Sequence, residues 1–163
     1  MKKLTYQASF IILLFCIAVL SGCGKEDAKQ MTEQQRATQS LSKGSPWTVL
    51  SVDSKPDGVD EQQLSDIQLS FGVSGSGNSI APSTFTSSSS TGAFDSETGA
   101  TWKWTGNDES SISISNGFVS DITDIHFNPS IDNPSSITLT FTMTKAINSG
   151  RVQGIGKYTI TLK

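Results

Sequence analysis

From Trp47 onward, apolar and polar residues alternate along the chain with a period of two. Ile67, Leu69, Phe71 and Val73 are separated by Gln68, Ser70 and Gly72, and Trp102 and Trp104 by Lys103. Ile112 and Ile114 alternate with serines, and Ile125 and Phe127 flank His126. Ile137, Leu139, Phe141 and Met143 alternate with Thr138, Thr140, Thr142 and Thr144, and Tyr158, Ile160 and Leu162 with Thr159 and Thr161. Alternation of this kind predicts strands with one buried and one solvated face. Thr suits the wet face because it is β-branched and polar at once, keeping strand preference without exposing much apolar surface.

Turn residues separate these runs. Asn116-Gly117, between Ile114 and Phe118, is a hairpin signal, since both residues tolerate positive φ. Gly92, Gly99, Gly106, Asn128-Pro129, Asn133-Pro134, Ser149-Gly150, Gly154 and Gly156 punctuate the rest. Val59–Leu64 is expected to make one helical turn, and 72–77 and 87–90 to be mobile loops. The pattern yields seven or eight short strands and no helix long enough for a crossover between parallel strands. The expectation is an all-β, antiparallel barrel or sandwich, two architectures that periodicity does not separate.

The N-terminus has another pattern. Lys2 and Lys3 precede an unbroken apolar run, Phe10–Leu20, of eleven residues. That is short for a membrane-spanning helix and suits the core of a signal peptide. It ends in Leu20-Ser21-Gly22-Cys23, which resembles the bacterial lipobox. The resemblance implies cleavage between Gly22 and Cys23 and acylation of the Cys23 thiol, so that buried acyl chains hold the protein to a membrane. Cys16, the other cysteine, lies within the apolar run, so the mature chain would have no disulfide. Gly24-Lys25-Glu26-Asp27 resembles the surface-export signal of Bacteroidota lipoproteins, which implies an outer-membrane, outward-facing location, with a periplasm-facing one as the alternative. Lys25 to Lys43 is Gln-rich and poor in apolar residues, and reads as a polar tether with transient helix, a stable surface helix being the alternative. Three segments result: a signal peptide at 1–22, the lipidated Cys and tether at 23–43, and a β-domain at 44–163.

Composition changes this picture only slightly. The overall 35% of hydrophobic residues averages an apolar signal with two leaner pieces. The formal charge of −3 becomes −5 without Lys2 and Lys3 (−3 − 2), which disfavours nucleic acid as a partner. A length of 163 residues excludes a large multi-domain enzyme, and the lack of a second long apolar run excludes a multi-pass helical membrane protein.

Residues 44–163 also resemble the lipocalin-like domains of Bacteroidota lipoproteins. The resemblance rests on Trp47 in the first strand, Trp102 and Trp104 mid-chain, and the final pair of strands: Leu139–Thr144, Gly150-Arg151, and Gly156-Lys157-Tyr158-Thr159-Ile160-Thr161-Leu162. It implies a small β-barrel and an envelope location more than a defined ligand. Two residues separate Gly44 from Trp47, where the family usually has one.

Residues that could carry chemistry are few. His126 is the single histidine, too few for an ordinary zinc site, and its position places it on the outer face of a strand. A hydrolytic triad would need it, with no strained nucleophile motif nearby. Asp121, Asp124 and Asp132 offer oxygen ligands but lack calcium-loop spacing. No carboxylate pair has the spacing expected of a glycosidase. Trp102 and Trp104 share a face and either fill the core or line a ligand cavity. Arg151 either closes one barrel end, packed over Trp47, or is an ordinary loop cation. The expectation is a non-enzymatic, lipid-anchored binding protein without cofactor or metal, taking an apolar small molecule or an envelope protein partner. A structural, adhesin-like or glycan-binding accessory is the alternative, and a hydrolase a remote one.

Overall fold

The computed structural model describes residues 30–144 and 154–163. They form one α-helix, α1 (Glu33–Lys43), and eight strands: β1 (Trp47–Ser54), β2 (Gln68–Ser74), β3 (Ala81–Ser88), β4 (Thr101–Trp104), β5 (Ile112–Ser115), β6 (Asp121–Asn128), β7 (Ser136–Met143) and β8 (Gly156–Leu162). Each strand pairs antiparallel with its neighbours in sequence, and β8 pairs with β1, so the sheet closes into a barrel. The alternative of a sandwich is thereby resolved: the architecture is the up-and-down, lipocalin-like barrel, which leaves no free sheet edge.

β7 and β8 show how the alternation becomes a wall. Ile137, Leu139, Phe141 and Met143 point inward and are buried, as are Tyr158, Ile160 and Leu162 opposite them. Burying one such side chain is worth about 1.5–3 kcal/mol, so these seven dominate the stability of this pair of strands. On the outer face Thr138 meets Thr161 (Oγ1–Oγ1 3.0 Å), and Thr140 meets Thr159 (3.1 Å). Thr161 Oγ1 then donates to Asp53 Oδ2 on β1 at 2.7 Å. β1 follows β8 less regularly. Bulges after Val49 and Val52 break the register and leave Leu50 53% exposed.

The Asn116-Gly117 pair does lie in the β5–β6 connection, but this is a longer loop, from Ser115 to Asp121, in which Asn116 and not Gly117 takes a positive φ. Asn116 has φ 58°, and a Cβ on Gly117 would lie 2.4 Å from Ile114 Cγ2, so no larger residue fits without movement. A short 3₁₀ turn, Glu61–Gln63, supplies the single helical turn expected at 59–64. The loop expected at 87–90 is partly strand instead, because β3 runs through Ser88 and pairs with Gln68. Likewise β2 extends through Ser74, into the segment expected to be loop from Gly72.

The principal correction concerns the tether. Its second half is α1, seated across one end of the barrel. Thr32 Oγ1 accepts the Gln35 N–H at 3.2 Å while Gln35 Oε1 accepts the Thr32 N–H at 2.8 Å, a reciprocal capping box. Ala37 and Leu41, four apart and so on one face, are fully buried. The polar residues that suggested a solvated tether are hydrogen-bonded to the barrel. Gln34 Nε2 donates to the carbonyls of Gly106 and Asp108, both at 2.7 Å, and Gln35 Nε2 to that of Asn78 at 2.5 Å. Ser40 Oγ donates to the Ile131 carbonyl, and Arg36 Nη1 contacts both Asp132 carboxylate oxygens, at 3.0 and 2.8 Å. α1 thus touches the β2–β3, β4–β5 and β6–β7 connections, all at the end where β1 begins. At the opposite end the β1–β2 and β3–β4 connections send Val59, Leu64, Ile67, Ala93 and Phe94 into the core.

Candidate functional site

Two places are available to a ligand in a closed barrel: the interior and the outer surface. The interior is occupied by aromatic rings in continuous contact. Trp104 packs edge-on against Trp102 with centroids 5.5 Å apart, and Trp102 against Phe71 at 5.4 Å. Phe71 meets Phe85 at 5.4 Å, Phe85 meets Phe118 at 6.3 Å, and Phe118 meets Phe141 at 5.3 Å. Phe141 stacks on Tyr158 at 5.2 Å with the rings 10° apart. Phe94, from the β3–β4 connection, closes the group against Phe118 and Tyr158. These contacts extend from the α1 end to the opposite end. Most are edge-to-face, the arrangement that the ring quadrupoles favour.

The polar atoms of this aromatic group are satisfied from within. Trp102 Nε1 donates to the Gly72 carbonyl at 2.8 Å, and Trp104 Nε1 to Thr38 Oγ1 of α1 at 2.9 Å. Trp47 Nε1 donates to the Leu41 carbonyl at 2.8 Å, and its ring lies so close to Gly44 that a Cβ there would sit 2.0 Å from Cζ2. Tyr158 Oη donates to the Gly154 carbonyl at 2.6 Å, and desolvation raises its phenol pKa above the ordinary value. Trp102 and Trp104 therefore share the inward face, as their spacing predicts. Trp102 is buried, Trp104 is partly buried, and each indole is spent on the barrel itself.

On the outside, His126 is where the pattern places it, exposed on β6. Its Nε2 lies 3.0 Å from Asp124 Oδ1, with the two side chains 71% and 51% exposed. Ser110 borders the same groove as His126, but its hydroxyl donates to Asp108 Oδ1 at 2.7 Å. That hydroxyl and the Ser110 N–H hold the Asp108 carboxyl below its ordinary pKa. Ser, His and Asp are thus neighbours here without the nucleophile–base hydrogen bond that a triad requires. The three aspartates considered for calcium have separate partners: Ser120 Oγ for Asp121, His126 for Asp124 and Arg36 for Asp132. Among the described residues no three His, Cys, Asp or Glu side chains converge as metal ligands.

Searches of family models, curated proteins and solved structures found no match. The site must therefore be read from this chain's geometry alone. No helix among the described residues is long and apolar enough to cross a membrane, which leaves open crossing by strands. Gly22, Cys23, Gly150 and Arg151 lie outside the described residues, and with them the cleavage site, the lipidation site and the position of Arg151 relative to Trp47.

Among the described residues, surface grooves provide further concave places. One, of about 420 Å³, lies between β3 and residues 96–100, and another, of about 150 Å³, lies beside α1 between Lys43 and Asp132. A third, of about 310 Å³, is bounded by Glu109, Ser110, Ile125, His126, Phe127 and Ile131. It forms because the Ile125 N–H donates to the Ser110 carbonyl at 2.9 Å, drawing the β4–β5 connection alongside β6. Sequence reading singled out His126 here but missed Glu109, Phe127 and Ile131. Glu109 sits in a polar turn, Asn107-Asp108-Glu109-Ser110, that looks like any other, and no local pattern announces the pairing with β6.

Proposed function

We propose that this protein is a non-enzymatic lipoprotein, anchored in the outer membrane through acylated Cys23, whose barrel engages a partner protein with its outer surface. The observation that carries the outer-surface half of this reading is the aromatic group. Its rings touch one another from end to end of the barrel, so an apolar ligand inside would have to displace several of them. The lipid anchor rests on the Lys2-Lys3, Phe10–Leu20 and Leu20-Ser21-Gly22-Cys23 sequence. The Gly24-Lys25-Glu26-Asp27 tetrapeptide supports an outward-facing location. The seating of α1 bears on reach: its residues belong to the barrel, so the segment after Cys23 is shorter than its polarity suggests.

Tryptophan emission of the full-length protein, titrated with palmitate and with haem, tests the outer-surface reading. The expected result is no saturable shift or quenching, and a one-to-one saturable change would overturn it in favour of an interior ligand. The anchor is tested separately: Cys23→Ser should abolish palmitate incorporation, and incorporation that survives rules out acylation at that position. Protease treatment of intact cells should remove the barrel, whereas complete protection would place it facing the periplasm.

A further inference from the structure

The groove beside β6 has a chemistry that defines its occupant. Glu109 on its rim is partly buried, and no described residue gives its carboxylate a hydrogen bond or an ion pair. A carboxylate partly removed from water without a counter-charge is disfavoured relative to a paired one. The groove is lined as well by the partly buried Phe127 and Ile131 and the buried Ile125, and Phe127 also packs against the barrel core. Among the described residues no Lys or Arg borders the groove. The nearby guanidinium of Arg36 is already held by Asp132 and Glu33. A second carboxylate, Asp124, lies on the same strand as the groove residues, with His126 as its partner.

We infer that this groove seats one cationic side chain, a Lys or Arg, presented by a partner protein. Such a side chain has an apolar stem and a charged head, the same two halves that the groove offers. The stem packs along Ile131 and the exposed part of Phe127, and the head reaches the Glu109 carboxylate. A space of about 310 Å³ is large enough for one side chain of a partner that lies across it. An acidic rim rejects phosphate and carboxylate ligands, and an unpaired carboxylate rejects a wholly apolar one. The inference rests on the outer-surface reading above and gives it a point of attachment.

The test uses the full-length protein in detergent micelles, with N-acetyl-arginine amide and its uncharged isostere N-acetyl-citrulline amide as probes. Backbone amide resonances report binding. Saturable shifts are expected at Glu109, Ser110, His126 and Phe127 with the arginine probe, with little change from citrulline. Glu109→Gln should weaken the arginine probe by about 10-fold or more, the usual loss for a charge-assisted hydrogen bond. Glu109→Asp, which keeps a carboxylate on a shorter stem, should retain part of the binding, whereas Glu97→Gln, at the groove between β3 and residues 96–100, should leave it unchanged. Thermal melting of each variant separates lost binding from lost folding. The proposal is overturned if arginine shifts none of these resonances, if citrulline shifts them equally, or if Glu109→Gln binds as the parent does. Any of these leaves the outer-surface reading intact, because that reading fails only on saturable binding of an apolar ligand inside the barrel.

Discussion

The β7–β8 ladder and the β3–β4 seam draw on similar residues and hold together by different means. β7 and β8 share seven registered positions, from Ile137↔Leu162 to Met143↔Gly156, with threonine hydroxyls paired outside and apolar side chains paired inside. β3 and β4 share one, Thr84↔Thr101, joined by the Phe85 N–H to the Ala100 carbonyl at 2.9 Å. Beyond that point the chain leaves the ladder. Ser96 replaces a strand partner, its N–H donating to the Ser87 carbonyl and its Oγ accepting the Ser87 N–H, both at 3.0 Å. β5 registers with β6 at Ile112↔Ile122 and Ser113↔Asp121, with the Ile114 N–H to the Ser120 carbonyl at 2.6 Å and the Ile125 N–H to the Ser110 carbonyl at 2.9 Å as further backbone bonds. On its other side the β4–β5 hairpin is attached by side chains: Trp102 to the Gly72 carbonyl and Phe71, and Trp104 to Thr38. A closed barrel can therefore be laddered by backbone on one side and held by indoles on the other.

Three substitutions and one titration bear on this contrast, in descending order of effect. Phe141→Ala removes a fully buried ring that stacks on Tyr158 and touches Phe118, on the laddered side. Chemical denaturation should show a loss of about 3–5 kcal/mol, since the surrounding strands are too well registered to collapse into the space. Trp102→Phe keeps a ring but deletes the donor to Gly72, leaving a part-buried carbonyl without its partner. The expected loss is about 1–3 kcal/mol, with amide exchange accelerated in β4 and β5 before β7 and β8. Exchange that rises evenly around the barrel would mean the hairpin is not held in this way. Thr32→Ala breaks the capping box of α1 and should cost about 1 kcal/mol, visible as faster amide exchange in the first turn of the helix.

The smallest effect is a pH dependence. Burial raises the Tyr158 phenol pKa above its unfolded value of about 10, because the neutral form is favoured in the barrel. The folded state therefore holds its proton longer than the unfolded state does. Stability from this group is complete below about pH 10 and declines as pH rises through the folded pKa. Tyr6 and Tyr158 are the two tyrosines, so a chain cleaved before Cys23 reports Tyr158 alone through phenolate absorbance. The titration should be displaced upward from that of the denatured chain.

Legibility in the sequence follows the same division. Strands with strict alternation, such as β7 and β8, are readable because apolar side chains line the inner face and hydroxyl side chains the outer, even where, as at Thr140, the outer residue is itself covered. The shared face of Trp102 and Trp104 and the exposure of His126 follow from the same rule. β3 is harder to read, since Phe85 and Ser87 are its buried side chains and Pro82 interrupts it. α1 was obscured by composition. Its Thr32-x-x-Gln35 cap was present in the sequence, but its glutamines, serine and arginine looked solvated until Gly106, Asp108, Ile131 and Asp132 were brought to them from distant connections. The Glu109 groove was obscured for a related reason. It exists only because Ser110 and Ile125 meet across the barrel wall.

The account depends most on the barrel being filled by its own side chains, leaving its outer surface for binding. Dissolved xenon, which enters apolar cavities too small or too dry for water, tests that directly when monitored through the methyl resonances of Ile112, Ile122, Leu139 and Ile160. A filled interior predicts only small shifts, linear in xenon pressure, at these buried methyls. Saturable shifts concentrated on them would reveal an internal cavity and contradict the account.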